Sequence, residues 1–153
     1  MNATQHPVTP ASAAPAHLAL RVFAAAYDAL PLLALWFVAA GLAVALSGGA
    51  LDVHRLVDKL IVQGLVLLVT ATYFIVSWLR GGQTVGMRPW RLRVVRADGQ
   101  PVNFAQAVLR FAVALASIAA LGLGFLWCLV DHDRRAWHDI AARTLLVRLD
   151  KNP

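Results

Sequence analysis

Asp28 is the residue whose surroundings most strongly suggest chemistry, because it lies about two turns inside a long apolar stretch, residues 22–46. An ionised carboxylate at the centre of a membrane helix costs about 3 kcal/mol on insertion scales. Pro31 cannot donate to the carbonyl of Tyr27, which leaves an acceptor free beside Asp28. One interpretation is a carboxylate that binds a proton or a small cation. The other is a buried salt bridge that fixes the helices, with Arg110 as the predicted partner.

Polar side chains also recur along the second apolar stretch, at Gln63, Thr70 and Ser77. A spacing of seven places them on one face of a helix, with Tyr73 beside the last two. In lipid, such a face most often makes hydrogen bonds between helices, each contributing about 1 kcal/mol. The other reading is a path for an ion or proton, formed by Asp28, Thr70, Tyr73 and Ser77.

The segment DHDRRAWHD, residues 131–139, invites a metal or catalytic reading because it combines histidines with aspartates. No spacing in it matches a helical metal-binding pair, and its two arginines would repel a cation, so we expect no metal site. An enzyme acting on lipid, with His138 and Asp139 as proton-transfer groups, is the weakest reading, since nothing marks a nucleophile. The sequence therefore predicts neither catalytic residues nor a cofactor.

Three apolar stretches must position these side chains, at about residues 22–46, 60–79 and 107–130. Each is near the length of about 20 residues that crosses a bilayer as a helix. With 59% hydrophobic and 14% charged residues, the chain carries more apolar surface than a soluble domain of this size can bury. The predicted fold is an all-α integral membrane protein with three hydrophobic helices and a short β-like cytoplasmic loop.

The expected organisation is a disordered tail over residues 1–17, a membrane domain over residues 18–149 and a short tail over residues 150–153. The helices are placed at about residues 18–46, 60–79 and 104–130, and Asn103 with Gln106 forms a capping pair at the start of the third. Residues 91–94 alternate between polar and apolar before the turn dipeptide Asp98-Gly99, which predicts a strand and a turn. Residues 144–149 are a second predicted strand.

The third stretch has two alternative topologies. If it spans, the two sides receive seven Lys and Arg each, whereas a hairpin that breaks near Gly122 and Gly124 gives twelve against two. Charge counting therefore favours a re-entrant hairpin. Length favours a span, because about 24 residues cover a hydrocarbon core with some tilt, and we expect three membrane helices on that ground. Within this stretch Arg110, Ser117 and Gly124 recur every seven residues on a face of small residues.

The formal charge of +6 arises from 14 Lys and Arg against 8 acidic residues. In a membrane chain, basic residues beside the spans retain loops in the cytoplasm and contact anionic lipid, so we expect membrane lipid rather than nucleic acid as the partner. Cys128 is the lone cysteine, which excludes an intramolecular disulfide.

Three segments together resemble the RDD family of small membrane proteins, named for one arginine and two aspartates. The first is LRVFAAAYDALPLL, which supplies Arg21 and Asp28, and the third is WCLVDHDRRAWHDIAARTLLV, which supplies the second aspartate, Asp139. Between them, GGQTVGMRPWRLRVVRADGQPV resembles the loop of the family. The loop and closing motifs are carried by Gly82, Gln83, Thr84, Gly86 and His138. Two positions depart from the family pattern, with Met87 in place of a lysine and Arg143 in place of a glycine.

The resemblance implies a multi-pass protein of the bacterial inner membrane whose molecular role is mostly undefined, with some members linked to exchange of monovalent cations for protons. Our favoured hypothesis is a noncatalytic membrane module in assembly or partner binding, with residues 80–96 and the segment around His138-Asp139 as docking surface. Its partner would be another copy or another membrane protein. The alternative is monovalent cation/proton exchange, with Asp28 as the carboxylate that alternates between proton and cation.

Overall fold

Two long helices form the apolar part of the structure, a computed structural model that describes residues 14–49, 51–52 and 54–149. Helix α1 is Leu18–Leu46 and helix α2 is Leu56–Gly81, so α2 begins four residues before its predicted start. They run antiparallel, since Trp36 of α1 bonds to Thr70 while the earlier Asp28 bonds to the later Tyr73. Both are long and apolar enough to cross a membrane, with mean hydropathies of 2.3 and 2.1.

The third apolar stretch is not one helix. The chain bends by 110° between helix α3, Phe104–Ala119, and the following helical segment, Leu123–Leu129. The short helix α4, Leu123–Leu126, opens that second segment. The break falls where Leu121 and Gly122 take positive φ angles of 54° and 82°, a conformation that ends a right-handed helix. The third predicted helix, at about residues 104–130, is therefore broken at residues 120–122, close to where the hairpin alternative places its break.

Close packing across the bend explains how the chain folds back on itself. A Cβ atom at Gly124 would lie 2.0 Å from the Oγ of Ser117 and 2.9 Å from the ring of Trp137. The small-residue spacing noted in the sequence thus allows two limbs of a bend to touch. The start of α3 follows the prediction. The backbone N–H of Gln106 donates to the Asn103 side chain at 2.9 Å, and the backbone N–H of Asn103 donates to the Gln106 side chain at 3.2 Å.

A small antiparallel sheet covers one end of the helices. Its strands are β1, Ala14–Pro15, β2, Leu92–Arg96, and β3, Thr144–Arg148, in the order β1-β3-β2. Both predicted strands are thus present. The two residues of β1 belong to the predicted disordered tail, so its boundary was placed too late, while residues 1–13 of that tail and the tail of residues 150–153 lie outside the described residues. Helix α5, Trp137–Ala141, precedes β3.

The sheet brings four helix ends to the same side of the molecule. Strand β1 precedes α1, and the Val94 N–H in β2 donates to the carbonyl of Gly82 at the end of α2, at 2.7 Å. Strand β2 precedes the third apolar stretch and β3 follows it, and the two strands pair over five residues. Both ends of that stretch therefore lie at the sheet, as the hairpin alternative requires.

The buried core joins the sheet to the helices. Leu92, Val94 and Leu146 are at most 5% exposed, and they pack with Trp78 of α2 and Ala107 of α3 in one cluster. Full burial of a side chain such as Leu or Val contributes about 1.5–3 kcal/mol. By contrast, α1 exposes large apolar residues along its length, such as Phe37 at 77% and Val38 at 69%. Lipid would cover them in a membrane.

Gly124→Ala tests the packing of the bend. The added methyl group meets Ser117 at 2.0 Å, so we expect the free energy of unfolding to fall by about 1–3 kcal/mol. Gly41→Ala in α1 is the matched control, because nothing lies within 4 Å of its added Cβ. Unfolding of both purified variants in detergent measures the difference, and equal stability of the two would contradict the described bend.

Candidate functional site

The first polar cluster surrounds Asp28, which is 2% exposed. One oxygen of its carboxylate accepts a hydrogen bond from the Tyr73 hydroxyl at 2.6 Å and another from the Gly86 N–H at 2.7 Å. The other oxygen accepts from the Thr84 hydroxyl at 2.6 Å. These four residues are called the Asp28 cage. Both carboxylate oxygens are thus bound by neutral donors.

The loop after α2 forms the cage by lying directly against α1. Gly86 makes this approach, since a Cβ there would fall 2.1 Å from the Ala24 carbonyl oxygen and 2.7 Å from the Asp28 nitrogen. Gly82 ends α2 in a left-handed conformation, and the Gln83 side chain donates to the Leu92 carbonyl at 2.7 Å. The conspicuous glycines and amides of the loop motif therefore serve the backbone path that delivers Thr84 to Asp28.

The second polar cluster centres on Asp139 in α5, which is fully buried. Arg21 of α1 donates to its carboxylate at 2.7 Å, and Arg110 of α3 donates to the other carboxylate oxygen. Arg110 also donates to the Thr144 hydroxyl at 2.7 Å, and the Ala136 N–H donates to Asp139 at 3.0 Å. These residues are called the Asp139 network. It carries two arginines for one aspartate.

The predicted ion pair between Asp28 and Arg110 is wrong. Arg110 lies in the second turn of α3, where α5 and β3 return to the helix and present Asp139 and Thr144. Asp28 receives its hydrogen bonds from the loop after α2 and from Tyr73 instead. The structure therefore divides the signature residues, with Arg21 and Asp139 in one cluster and Asp28 in the other.

Burial and the neighbouring charges set the protonation states of Asp139 and His138 in α5. Burial alone would raise the pKa of the Asp139 carboxyl, but the guanidinium groups of Arg110 and Arg21 lower it well below its usual range. Burial, together with the charge of Arg110, lowers the pKa of the His138 imidazole to about 3. At neutral pH, Asp139 is consequently ionised and His138 is neutral.

The polar stripe of α2 is used in part for contacts with α1. The Trp36 indole donates to the Thr70 hydroxyl at 2.9 Å, and Tyr73 bonds to Asp28. Gln63 is exposed, and Ser77 is half-buried outside the Asp28 cage. Of the four residues of the predicted ion path, Asp28 and Tyr73 are therefore in direct contact. Thr70 lines the same cavity as Asp28, whereas Ser77 does not.

A cavity of about 320 Å³ reaches both polar clusters. Its walls are mainly apolar, with Phe74, Phe111 and Leu115 among them. Three polar side chains of the clusters also line it, namely Arg21, Asp28 and Arg110, and so do Thr70 and His138. The described residues contain no group of three or more His, Cys, Asp or Glu side chains able to hold a metal ion.

Two features of the site were missed in the sequence. The partners of Asp139 come from α1 and α3, far away in the chain, and Thr144 was read only as the start of a strand. A clearer signal lay in Arg143, which replaces a glycine of the family pattern and adopts a φ of 51°. Glycine adopts this conformation freely, so the family pattern marks a tight turn that places Thr144.

Two apolar helices, a bent apolar segment, a small sheet and buried ion pairs that join α1 and α3 to α5 define a small helical membrane protein. The family model described as "RDD family" matches residues 15–143. The chain therefore belongs to the RDD family, which confirms the resemblance seen in its sequence. No curated protein and no solved structure matches the chain.

The low pKa of His138 predicts a pH-dependent stability. Between pH 6.5 and about 3 the unfolded chain binds a proton at this residue that the folded chain does not, so acidification favours unfolding. The expected slope is at most about 1.4 kcal/mol per pH unit. Asp139 adds a further loss below its ordinary pKa of 3.8, where its unfolded carboxyl takes up a proton.

Denaturant unfolding in detergent from pH 7 to pH 5 measures the contribution of His138 by itself. His138→Gln should flatten the dependence of the unfolding free energy on pH, because glutamine takes up no proton when the chain unfolds. His132→Gln, at an exposed position, is the matched control and should leave it unchanged. A slope that is the same in wild type and His138→Gln would contradict this assignment.

Proposed function

We propose that this RDD-family protein is a noncatalytic helical membrane module that assembles with another membrane protein or with further copies of itself. The observation that carries the proposal is that Arg21, Asp28 and Asp139 are all occupied by contacts within the chain. Such contacts fix the arrangement of helices and sheet. The characteristic charges of the family then maintain a surface that other molecules recognise.

The energetics of buried charges support a scaffold role. Removing one partner of a buried ion pair commonly costs about 3–5 kcal/mol, because the remaining charge is left uncompensated. Removal of the Asp139 carboxylate would leave two buried arginines without their common partner. The side chains of Arg21 and Arg110 are only 10% and 3% exposed. The whole stability of a domain is only about 5–15 kcal/mol. Loss of Asp139 should therefore reduce the amount of folded protein in the membrane.

The surface available for docking is basic. Exposed arginines occur on the sheet side of the molecule and in the adjoining turns, at Arg80, Arg88, Arg134, Arg143 and Arg148. Positive surfaces of this kind attract an acidic partner or anionic lipid headgroups. The apolar faces of α1 and α2 provide the second part of the interface, toward lipid or a neighbouring helix.

The proposal includes a multi-pass topology in the bacterial inner membrane, with α1 and α2 spanning and the third stretch re-entrant. The shared sheet supports this topology, because β2 and β3 flank the third stretch and pair with each other. Among the described residues, the hairpin places eleven arginines on the sheet side and leaves Arg55 and Lys59 at the other end. By the positive-inside rule, the sheet then faces the cytoplasm.

Single-cysteine labelling in cells tests the topology. In a Cys128→Ala background, Asp52→Cys in the α1–α2 connection should react with an impermeant maleimide in the periplasm. Asp98→Cys, in the turn after β2, should react only after the inner membrane is opened. A reporter fused at Pro153 should be cytoplasmic, on the side of Asp98. A reporter on the side opposite to Asp98 would mean that the third stretch spans.

Crosslinking in intact membranes tests the assembly role. Arg88→Gln combined with Arg148→Gln should lower the yield of the crosslinked complex several-fold at unchanged abundance, since both side chains are exposed. Arg55→Gln is the matched control, because this exposed arginine lies at the opposite end of the helices. The proposal is wrong if wild type forms no complex with itself or another protein, or if the control loses as much complex.

Monovalent cation/proton exchange is a second candidate because Asp28 and Thr70 line the cavity. In proteoliposomes, addition of sodium, lithium or potassium should then move protons in wild type but not in Asp28→Asn at matched insertion. Asp98→Asn, an exposed aspartate of the β2 turn, is the control and should retain the flux. Flux that persists in Asp28→Asn would exclude this residue as the exchanging group, and no flux in any sample would leave the assembly role.

A further inference from the structure

We propose that the cavity beside the two polar clusters binds a single-chain anionic amphiphile, a fatty-acid carboxylate, with its headgroup at the Asp139 network and its chain between α1 and α3. This binding site is independent of the docking surface proposed above. Three observations support the proposed amphiphile site: the shape of the cavity, the charge at one end of it, and two buried nitrogen atoms without a hydrogen-bond partner among the described residues.

The cavity has the walls that an acyl chain requires. Beside Phe74, Phe111 and Leu115, it is lined by Val22 of α1 and Ile118 of α3. Val22 is 56% exposed and Ile118 is 63% exposed, so the cavity opens at the surface between these helices. In a membrane this opening faces the hydrocarbon, from which a chain can enter sideways. Each methylene buried there contributes about 0.8 kcal/mol.

The size of the cavity argues for one chain rather than two. Its volume of about 320 Å³ is at the lower end of the range of about 300–1,000 Å³ found for small-molecule sites. A short segment of one chain with a small headgroup fits this space, and the remainder of the chain extends through the opening. A two-chain phospholipid with its glycerol and phosphate is too large for the enclosed part.

The charge at one end selects an anion. Arg21 and Arg110 bring two positive charges, whereas Asp139 brings one negative charge, and His138 is neutral at pH 7. The other carboxylate on the cavity, Asp28, lies seven residues from Arg21 along α1, a rise of about 10 Å. Both of its oxygens already accept hydrogen bonds in the Asp28 cage. An anionic headgroup therefore finds its favourable position at the Asp139 network.

Two nitrogen atoms at that end have no partner among the described residues. They are Nε of Arg110 and Nδ1 of His138, whose side chains are both more than nine-tenths buried and both line the cavity. A buried donor without an acceptor costs about 1–3 kcal/mol. Both atoms are closed off from solvent behind the cavity wall. A carboxylate headgroup would accept from the Arg110 N–H, and from the His138 imidazole in its Nδ1–H tautomer, once these side chains turn toward the cavity.

The orientation of the cavity matches that of an amphiphile in a membrane. Arg21 lies in the first turn of α1 and Arg110 in the second turn of α3, close to the sheet side. Ile118 lies eight residues further along α3, about 12 Å deeper, next to the bend. The charged end is thus at the level of the headgroups and the apolar end at the level of the chains.

Photocrosslinking tests the proposal directly. Purified protein in neutral detergent is incubated with a fatty acid that carries a diazirine on its chain, or with the fatty alcohol of equal length. We expect the acid to label peptides that contain Val22 or Ile118, and to do so about tenfold more than the alcohol, as one lost charge-assisted hydrogen bond implies. Equal labelling by acid and alcohol would overturn the role of the charged end.

Filling the cavity provides the matched variants. Ala114→Phe places a ring into the cavity and should reduce labelling about tenfold, as loss of several buried methylenes implies. Ala112→Phe is on the exposed face of the same helix and should retain labelling. Labelling that is equal in the two variants would overturn the assignment of the cavity.

A competition experiment on wild type keeps the proposal testable if Ala114→Phe does not fold. Excess unlabelled fatty acid should displace the probe, whereas excess fatty alcohol or neutral two-chain phospholipid should not. An anionic two-chain phospholipid separates the two sources of a negative headgroup. Displacement by that phospholipid at the same concentration as the fatty acid would overturn the single-chain assignment.

Discussion

The buried carboxylate of Asp139 is the constraint on which the other parts of the structure depend. Arg21 and Arg110 reach it from positions 118 and 29 residues away in the chain. Taking such ions out of water costs several kcal/mol each, which only close pairing and further hydrogen bonds can offset. The network therefore requires α1, α3 and α5 to meet at one point. This meeting point sets where the sheet lies and returns the third apolar stretch to the side on which it began.

The bend in the third stretch is compatible with a hydrocarbon environment because its backbone donors are satisfied locally. The N–H groups of Leu121, Gly122 and Leu123 donate to carbonyls of residues 117–120, at 2.8 to 3.1 Å. An unsatisfied backbone group in lipid would cost several kcal/mol, which is why irregular chain is rare there. Leu121 at the tip of the bend is 92% exposed and carries an apolar side chain. These three N–H groups therefore do not oppose a turn of the chain inside a membrane.

Local features could be predicted from the sequence, and features that depend on distant contacts could not. The apolar length of α1 and α2, the strand alternation near Val94 and the Asn103 capping pair all lie within one element, so their residues were sufficient. The predicted partner of Asp28 is wrong because the Gly86 N–H reaches this carboxylate only when the loop after α2 packs against α1. The bend was underestimated because length argues for a span until the pairing of β2 with β3 and the ion pairs of Asp139 are known.

The two aspartates of the signature differ in what their partners permit. Asp139 is bound to two guanidinium groups that keep their charge, so it cannot change its own charge without leaving buried cations unpaired. Asp28 is bound to two hydroxyl groups and one amide. A hydroxyl can rotate to present its oxygen to a cation, but the Gly86 N–H can only donate. Withdrawal of the loop from α1 at Gly86 would free a further acceptor site on Asp28 and would favour conversion of the cage into a cation site. An exchange role would therefore be expected to involve movement of that loop rather than of the Asp139 network.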